Sequence, residues 1–418
     1  MLVLVSASFV HYRAALTAPG ALPPVLASAL ARLPIAMFGL ATLLYVQRTT
    51  GSFATAGLVT AAALTGVSVG SVAQGRLMDR VGPTRPLLLL TALFAVAVGA
   101  LIAAVETAQP LPVLLALSLL NGLAQPAMPA ASRALWGVLL PPGPSRDAAY
   151  TYEAISLEVF FIIGPAFAVF LVLAPWPGTG LAVAAAAMIV GALGFALSRP
   201  VRAQRARPAG ASIGLLGALG RPAMRTVALA SLGFGVVIGV VEVGVPAVTT
   251  AVGSPALGGV LISAWSVTSV LAGLLYSLRP WPRPLHLRMP ALLAGFAVLV
   301  GAMALVGVTG SLVLLTVAML AAGALITPQV TAHSIAVDGA APAGTATEAF
   351  GWVITAATLG LAAGQSMAGI VIEAAGPPAA FLAGGIAGVG LAVVLWVRRS
   401  TLLVEDPSPA EVVELGAH

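Results

Sequence analysis

Neither cysteine nor lysine occurs anywhere in the 418 residues. The first absence excludes disulfides and thiolate metal sites, and it leaves the redox compartment open. The second excludes a Walker loop, whose lysine reaches the β- and γ-phosphates, so ATP does not drive this protein through a site on the chain. No G-x-S-x-G elbow is present. The four histidines are scattered: His11 and His286 fall in loops, His418 is terminal, and His333 near the end of an apolar run reads as a surface residue. No His/Asp/Glu group has metal-ligand spacing, so neither a metal nor a cofactor is expected, and an enzyme is the least favoured class. Charge of either sign is also scarce. Only 8% of the residues are charged, against roughly 25% in a soluble globular protein.

What the chain has in quantity is apolar surface: 60% hydrophobic residues and a mean hydropathy of +1.07. Continuous apolar runs of about 20 residues, each long enough for a bilayer core of about 30 Å, recur throughout. Lipid satisfies no backbone hydrogen bonds, and the runs do not alternate, so they read as helices. The sequence predicts an all-α membrane protein with twelve transmembrane spans, over 21–46, 54–77, 87–106, 110–133, 150–173, 178–198, 223–250, 256–278, 289–308, 311–333, 346–373 and 378–397. "MLVLVSASFV" lacks a positive n-region and "HYRAAL" is no cleavage site, so 1–20 reads as a lead-in.

The 19 arginines fix the expected orientation. Arg76, Arg80 and Arg85 follow span 2, Arg133 and Arg146 follow span 4, and Arg202, Arg205, Arg207 and Arg221 lie in 199–222. Arg279, Arg283 and Arg288 follow span 8, and Arg398 and Arg399 follow span 12. The alternate loops hold only Arg48. Positive loops stay inside, which predicts an inner-membrane protein with both termini cytoplasmic. The net charge of +6 therefore belongs to inter-helix loops and does not point to nucleic acid.

The segment 199–222 divides the spans into lobes at 21–198 and 223–397, followed by a tail at 398–418 that reads as mobile. Gly122, Pro141 and Gly143 recur 201 residues later as Gly323, Pro342 and Gly344, and Glu153 in "TYEAI" recurs as Glu348 in "ATEAF". Two pseudo-symmetric six-helix lobes with a site between them form a transporter architecture.

Six plus six spans, a basic central loop and "GRLMDRVG" between spans 2 and 3 resemble the major facilitator superfamily, in its drug-efflux-like bacterial branch. Gly75, Leu77, Asp79, Arg80 and Gly82 match that family's G-x-L-x-D-R-x-G signature. The resemblance implies a gating hairpin in which Asp79 helps lock the lobes in the outward-open state. On local grounds Asp79 either caps a helix N-terminus or pairs with a neighbouring arginine. Pro83 and Thr84 stand where the family usually has basic residues. "IIGPAFA" is similar to the family's antiporter motif, with Gly164 and Pro165 in place as a kink; Thr327–Pro328 is a second kink point. Ser118 in "SLLNG" replaces the arginine of the proton-coupled drug antiporters.

Charged groups inside spans cost roughly 2.5–3.5 kcal/mol each on insertion scales. Arg32 and Glu158 lie at similar depths, about 16 and 12 Å. They read as a pair, either a proton-dependent contact or a permanent structural bridge. Glu242, deep in span 7, suits proton binding, a cationic substrate or a structural role. Glu153 and Glu348, one turn inside spans 5 and 11, read as helix-end anchors. Asn121 and Gln125, four apart, share a face that either binds a ligand or packs helices. The functional expectation is a secondary transporter, a probable monomer in the bilayer, exporting a small, fairly apolar molecule in exchange for protons. The alternatives are an importer or facilitator of a metabolite and a non-transporting membrane sensor.

Overall fold

Ser52 and Ser311 each open a span in the same way. The side-chain oxygen accepts the backbone N–H three residues on, at 3.2 and 3.3 Å, filling one of the donors a helix start leaves unpaired. Other spans start on proline at the first or second position, where its missing N–H costs nothing. A computed structural model describes residues 10–172, 174–204, 216–277 and 283–403. Residues 1–9 of the lead-in, Arg205, Arg207, Arg279 and the tail from 404 onward, with His418, lie outside the described residues.

Among the described residues, twelve long helices follow one another in two lobes of six. They are α1 (Leu22–Thr50), α2 (Phe53–Val81), α3 (Thr84–Glu106), α4 (Leu111–Leu139), α5 (Pro144–Val172) and α6 (Thr179–Leu197). The second lobe holds α7 (Pro222–Ala251), α8 (Pro255–Ser277), α9 (Leu285–Leu305), α10 (Leu312–Ala340), α11 (Ala346–Ala375) and α12 (Pro377–Val397). Eleven are long and apolar enough to cross a membrane by length and composition; α5, 29 residues long, completes the dozen. The protein is a multi-pass membrane protein. The α2–α3 and α4–α5 connections share one end of the bundle, called here the basic end, with Val201 after α6 and Ala218 before α7.

Three helices are broken. α1 is interrupted between Arg32 and Ile35, at Leu33–Pro34, because proline removes a helical donor and crowds the preceding turn. α4 is interrupted between Ala124 and Met128, around Pro126. α10 is interrupted between Gly323 and Ile326, two residues ahead of Thr327–Pro328. The breaks in α4 and α10 follow Gly122 and Gly323, so the 201-residue repeat in sequence coincides with a repeated irregularity in structure. α5, by contrast, runs as one helix through Gly164 and Pro165. Gly164 serves close packing there, since a Cβ would meet Ala36 of α1 at 2.8 Å.

Two boundaries shift the reading of the site. α2 continues to Val81, so the expected gating hairpin is mostly helix, and only Gly82 (φ +82°) and Pro83 make the turn. α5 starts at Pro144, directly after Gly143 (φ +135°). Glu153 therefore lies nine residues into its helix, not one turn.

Small residues bring the helices into backbone contact. Gly235 and Gly239 of α7 lie against the main chain of α11, and Gly360 and Gly364 of α11 lie against that of α7. Between the lobes, a Cβ on Gly75 of α2 would meet the Thr347 carbonyl at 2.7 Å, and one on Gly351 of α11 would meet the Ser71 carbonyl at 2.8 Å. This small-residue packing is the usual means of helix association where lipid removes the hydrophobic drive between helices.

Candidate functional site

The lobes meet along α2 with α11 and along α5 with α8 and α10, and polar contacts tie them together from mid-helix to the basic end. At mid-depth the Ser71 and Thr355 hydroxyls lie 2.9 Å apart, and Thr355 donates to the Ser68 carbonyl at 2.7 Å. About two turns closer to the basic end, Asp79 reaches across to the start of α11. Its two carboxylate oxygens accept the backbone N–H groups of Thr347 and Glu348, at 3.1 and 2.7 Å. Those donors have no partner within their own helix, and they carry the positive end of its dipole. Of the two local roles for Asp79, capping is the one observed, and the capped helix belongs to the opposite lobe.

Beside it, Arg76 pairs with Glu348 at 2.7 Å. Glu348 also accepts the Ala218 N–H at 3.1 Å and the Trp352 indole at 3.3 Å. It lies in the first turn of α11 and ties α2, α11 and the end of the 199–222 segment together. Arg80, next to the cap, is exposed at the end of α2.

A second latch went unread in the sequence. Arg146 of α5 pairs with Asp338 of α10 at 2.6 Å, and the Tyr150 hydroxyl donates to the same carboxylate at 3.1 Å. The Arg146 guanidinium also donates to the Leu140 carbonyl at the end of α4. The two latches wall a cavity of about 510 Å³ between the lobes at the basic end, with Asp79, Arg146, Tyr150, Asp338, Thr347 and Phe350 in its lining.

At the level of the α5–α8 crossing lies Glu158. It is not paired with Arg32, whose partner is Glu153, and Ser266 and Ser269 of α8 in the other lobe stand close by. Farther from the basic end, Glu242 of α7 is exposed, and Gln365 of α11 donates to it at 2.8 Å. α7 packs against α8, α9, α10, α11 and α12 of its own lobe. The two latches hold the lobes together at the basic end.

Arg32 has a different partner from the one expected. Its Nη1 lies 2.6 Å from Glu153 Oε2, with both side chains almost wholly buried, at 1 and 2% exposure. The other Glu153 oxygen accepts from Ser132 and, at 3.0 Å, from the Trp136 indole, both on α4. Glu153 is therefore the hub of a buried cluster between α1, α4 and α5, not a helix-end anchor. Arg133, also buried, follows Ser132 on α4.

Asn121 and Gln125 do not share a helical face, because the first segment of α4 ends at Ala124 and Gln125 turns to ψ +120°. Asn121 is buried. Gln74 of α2 fills the break that separates them: its amide donates to the Leu123 and Gln125 carbonyls at 2.8 and 2.9 Å, and its oxygen accepts the Ala127 N–H at 2.9 Å. His333 is not a surface residue. It is 3% exposed, 3.4 Å from the Ser231 hydroxyl and edge-on to Phe234. Ser118 donates to the Val59 carbonyl at 2.7 Å, a packing role between α4 and α2.

The profile of the Major Facilitator Superfamily matches residues 25–364. No curated protein sequence matches. Solved structures similar in fold include the human organic anion transporter MFSD10, with 19% identity, TM-score 0.61, and 95% of this chain and 98% of that one covered. A bacterial homologue of the iron transporter ferroportin in an outward-facing state shows 13% identity, TM-score 0.70 and coverage of 91 and 98%. The E. coli fucose:proton symporter FucP shows 16% identity, TM-score 0.64 and coverage of 91 and 99%.

Proposed function

The chain belongs to the major facilitator superfamily and is a membrane transporter; from that premise we propose that it is a proton-coupled secondary transporter working by alternating access, with Glu158 as the proton site. The observation that carries this reading is the setting of Glu158. It lies on α5, the helix that packs on α8 and α10 of the other lobe, and it forms no salt bridge among the described residues. A carboxylate held that way pays desolvation without a compensating charge, whereas a protonated carboxyl donates one hydrogen bond and accepts others. Protonation therefore favours lobes that are closed around Glu158, and loss of the proton favours an arrangement that lets water reach it.

The arginine asymmetry puts the basic end in the cytoplasm, so the described state is latched inside, and we take it as open outside. In the cycle we assign, a small, largely apolar compound leaves from this state, Glu158 takes up a proton from the open side, and that proton leaves to the cytoplasm once the lobes rock open at the basic end. Arg32, Glu153 and Glu242 flank the path, and the Asp79 and Arg146 latches set the balance between states. An organic anion transporter and a proton symporter on the same fold agree with this class of function.

The test needs no known substrate. The chain has no cysteine, so paired cysteines at Val138 and Gly339, both exposed near the basic end, carry spin labels uniquely. Raising the pH should lengthen their separation in the parent protein and leave it unchanged in Glu158→Gln. A pH response of equal size in the folded variant removes Glu158 from the coupling. In vesicles loaded with candidate compounds, an inward proton gradient should accelerate efflux; efflux indifferent to the gradient indicates a facilitator.

A further inference from the structure

The Arg32 cluster holds more positive charge than it neutralises. Arg32 and Arg133 are both buried, at 1 and 6% exposure. Glu153 forms a salt bridge with Arg32, whereas Arg133 forms none among the described residues and donates to the Pro129 carbonyl at 3.3 Å. Two buried guanidinium groups thus have one paired carboxylate inside the membrane, where an uncompensated charge is costly.

Donor geometry shows where the missing charge belongs. Glu153 occupies Arg32 through Nη1 alone. The Nε and Nη2 groups are buried and have no hydrogen-bond partner among the described residues. Those two N–H groups form one edge of the planar guanidinium, with the spacing that grips a carboxylate or phosphoryl group through two parallel bonds. The rings of Tyr152 and Phe160 stand 6.0 and 5.7 Å from the guanidinium carbon, and both residues are part-exposed. A second, independent irregularity lies at the same point: α1 breaks immediately after Arg32, at Leu33–Pro34, so this side chain sits at a joint between two helix segments.

We propose that the Nε–Nη2 edge of Arg32 is a binding site for the acidic group of the transported molecule, which is therefore an organic anion with an apolar or aromatic body. Arg133 supplies the second positive charge, and Tyr152 and Phe160 flank the part of the ligand next to its acidic group. Glu153 stays on Nη1, held by Ser132 and Trp136, so the ligand adds to the existing pair and does not displace it. The bound ligand balances the cluster at two charges of each sign. This site rests on the transport reading, and it narrows the cargo from an apolar compound to an apolar compound with one acidic group.

The test is binding to the purified full-length protein in detergent, with no proton gradient, which separates it from the Glu158 coupling. The probes are benzoate, hexanoate and phenylphosphonate, each as the sodium salt, with benzamide and hexanamide as neutral counterparts. Saturable thermal stabilisation by at least one acid, and none by its amide, is the expected result. Arg32→Gln should abolish it. Arg133→Gln leaves the Arg32–Glu153 bridge in place and should weaken the apparent affinity about tenfold in a protein that elutes as the parent does, so the test survives even if Arg32→Gln fails to fold. No stabilisation by any acid, equal stabilisation by acid and amide, or an unchanged affinity in Arg133→Gln overturns the proposal. Anion binding that persists alongside a pH-insensitive lobe distance would leave this site standing and remove the proton coupling.

Discussion

Changing Glu153 to glutamine tests whether the buried bridge to Arg32 is one energetic unit. The substitution keeps an oxygen to accept from Ser132 and Trp136 and removes only the charge 2.6 Å from Arg32 Nη1. Arg32 is then left without its carboxylate partner at a buried position. Removing one partner of a buried pair costs about 3–5 kcal/mol, most of it the penalty on the charge left behind. Arg32→Gln should cost a similar amount. The double variant removes both charges and keeps the polar shapes, so its loss should be well short of the sum, with a coupling of about 3 kcal/mol. The assay is reversible unfolding in mixed micelles followed by tryptophan fluorescence, applied to the parent, both single variants and the double variant. Additive losses, with a coupling below about 0.5 kcal/mol, would refute the argument.

The latches give further expectations. Asp79→Asn should lose much of a charge-assisted double cap on α11, worth about 2 kcal/mol, and raise the share of molecules open at the basic end about thirtyfold in equilibrium terms, read from the Val138–Gly339 spin-label distance. Arg146→Gln and Asp338→Asn should each populate the same longer distance, and exchanging the two side chains, Arg146→Asp with Asp338→Arg, should recover part of the shorter one. Gly75→Val should keep the lobes apart at the basic end, because a Cβ there already meets the Thr347 carbonyl at 2.7 Å; single-cysteine labelling at Ala346, in the cavity lining, should accelerate in that variant.

How far the sequence alone carried this architecture differs by feature. The spans were legible because a bilayer demands about 20 apolar residues in a row, and a 60% hydrophobic chain has few other ways to spend them. Asp79 was legible as a cap, but its target 268 residues away in the other lobe was not. The partner of Arg32 was misread for a definable reason. Starting span 5 at residue 150 put Glu153 one turn inside the membrane; the helix actually starts at Pro144, six residues earlier, or about 9 Å at 1.5 Å per residue. That shift brings Glu153 to the depth of Arg32 and moves Glu158 to the lobe interface. Gln74 and Ser132 are neutral and carry no signal in a list of charges, and the break in α4 that gives Gln74 its role had no expected counterpart. Asp338 lies past the end assigned to span 10, which continues to Ala340.

The most direct measurement of rocking lobes uses two spin-label pairs in the cysteine-free chain: Val138 with Gly339 at the basic end, and Thr50 with Val252 at the opposite end, where α1 and α7 finish. Recorded across a pH series and in Asp79→Asn, the two distances should move in opposite directions, the far end closing by the fraction that the basic end opens. Loosening at the basic end with no closure at the far end would contradict alternating access in this protein.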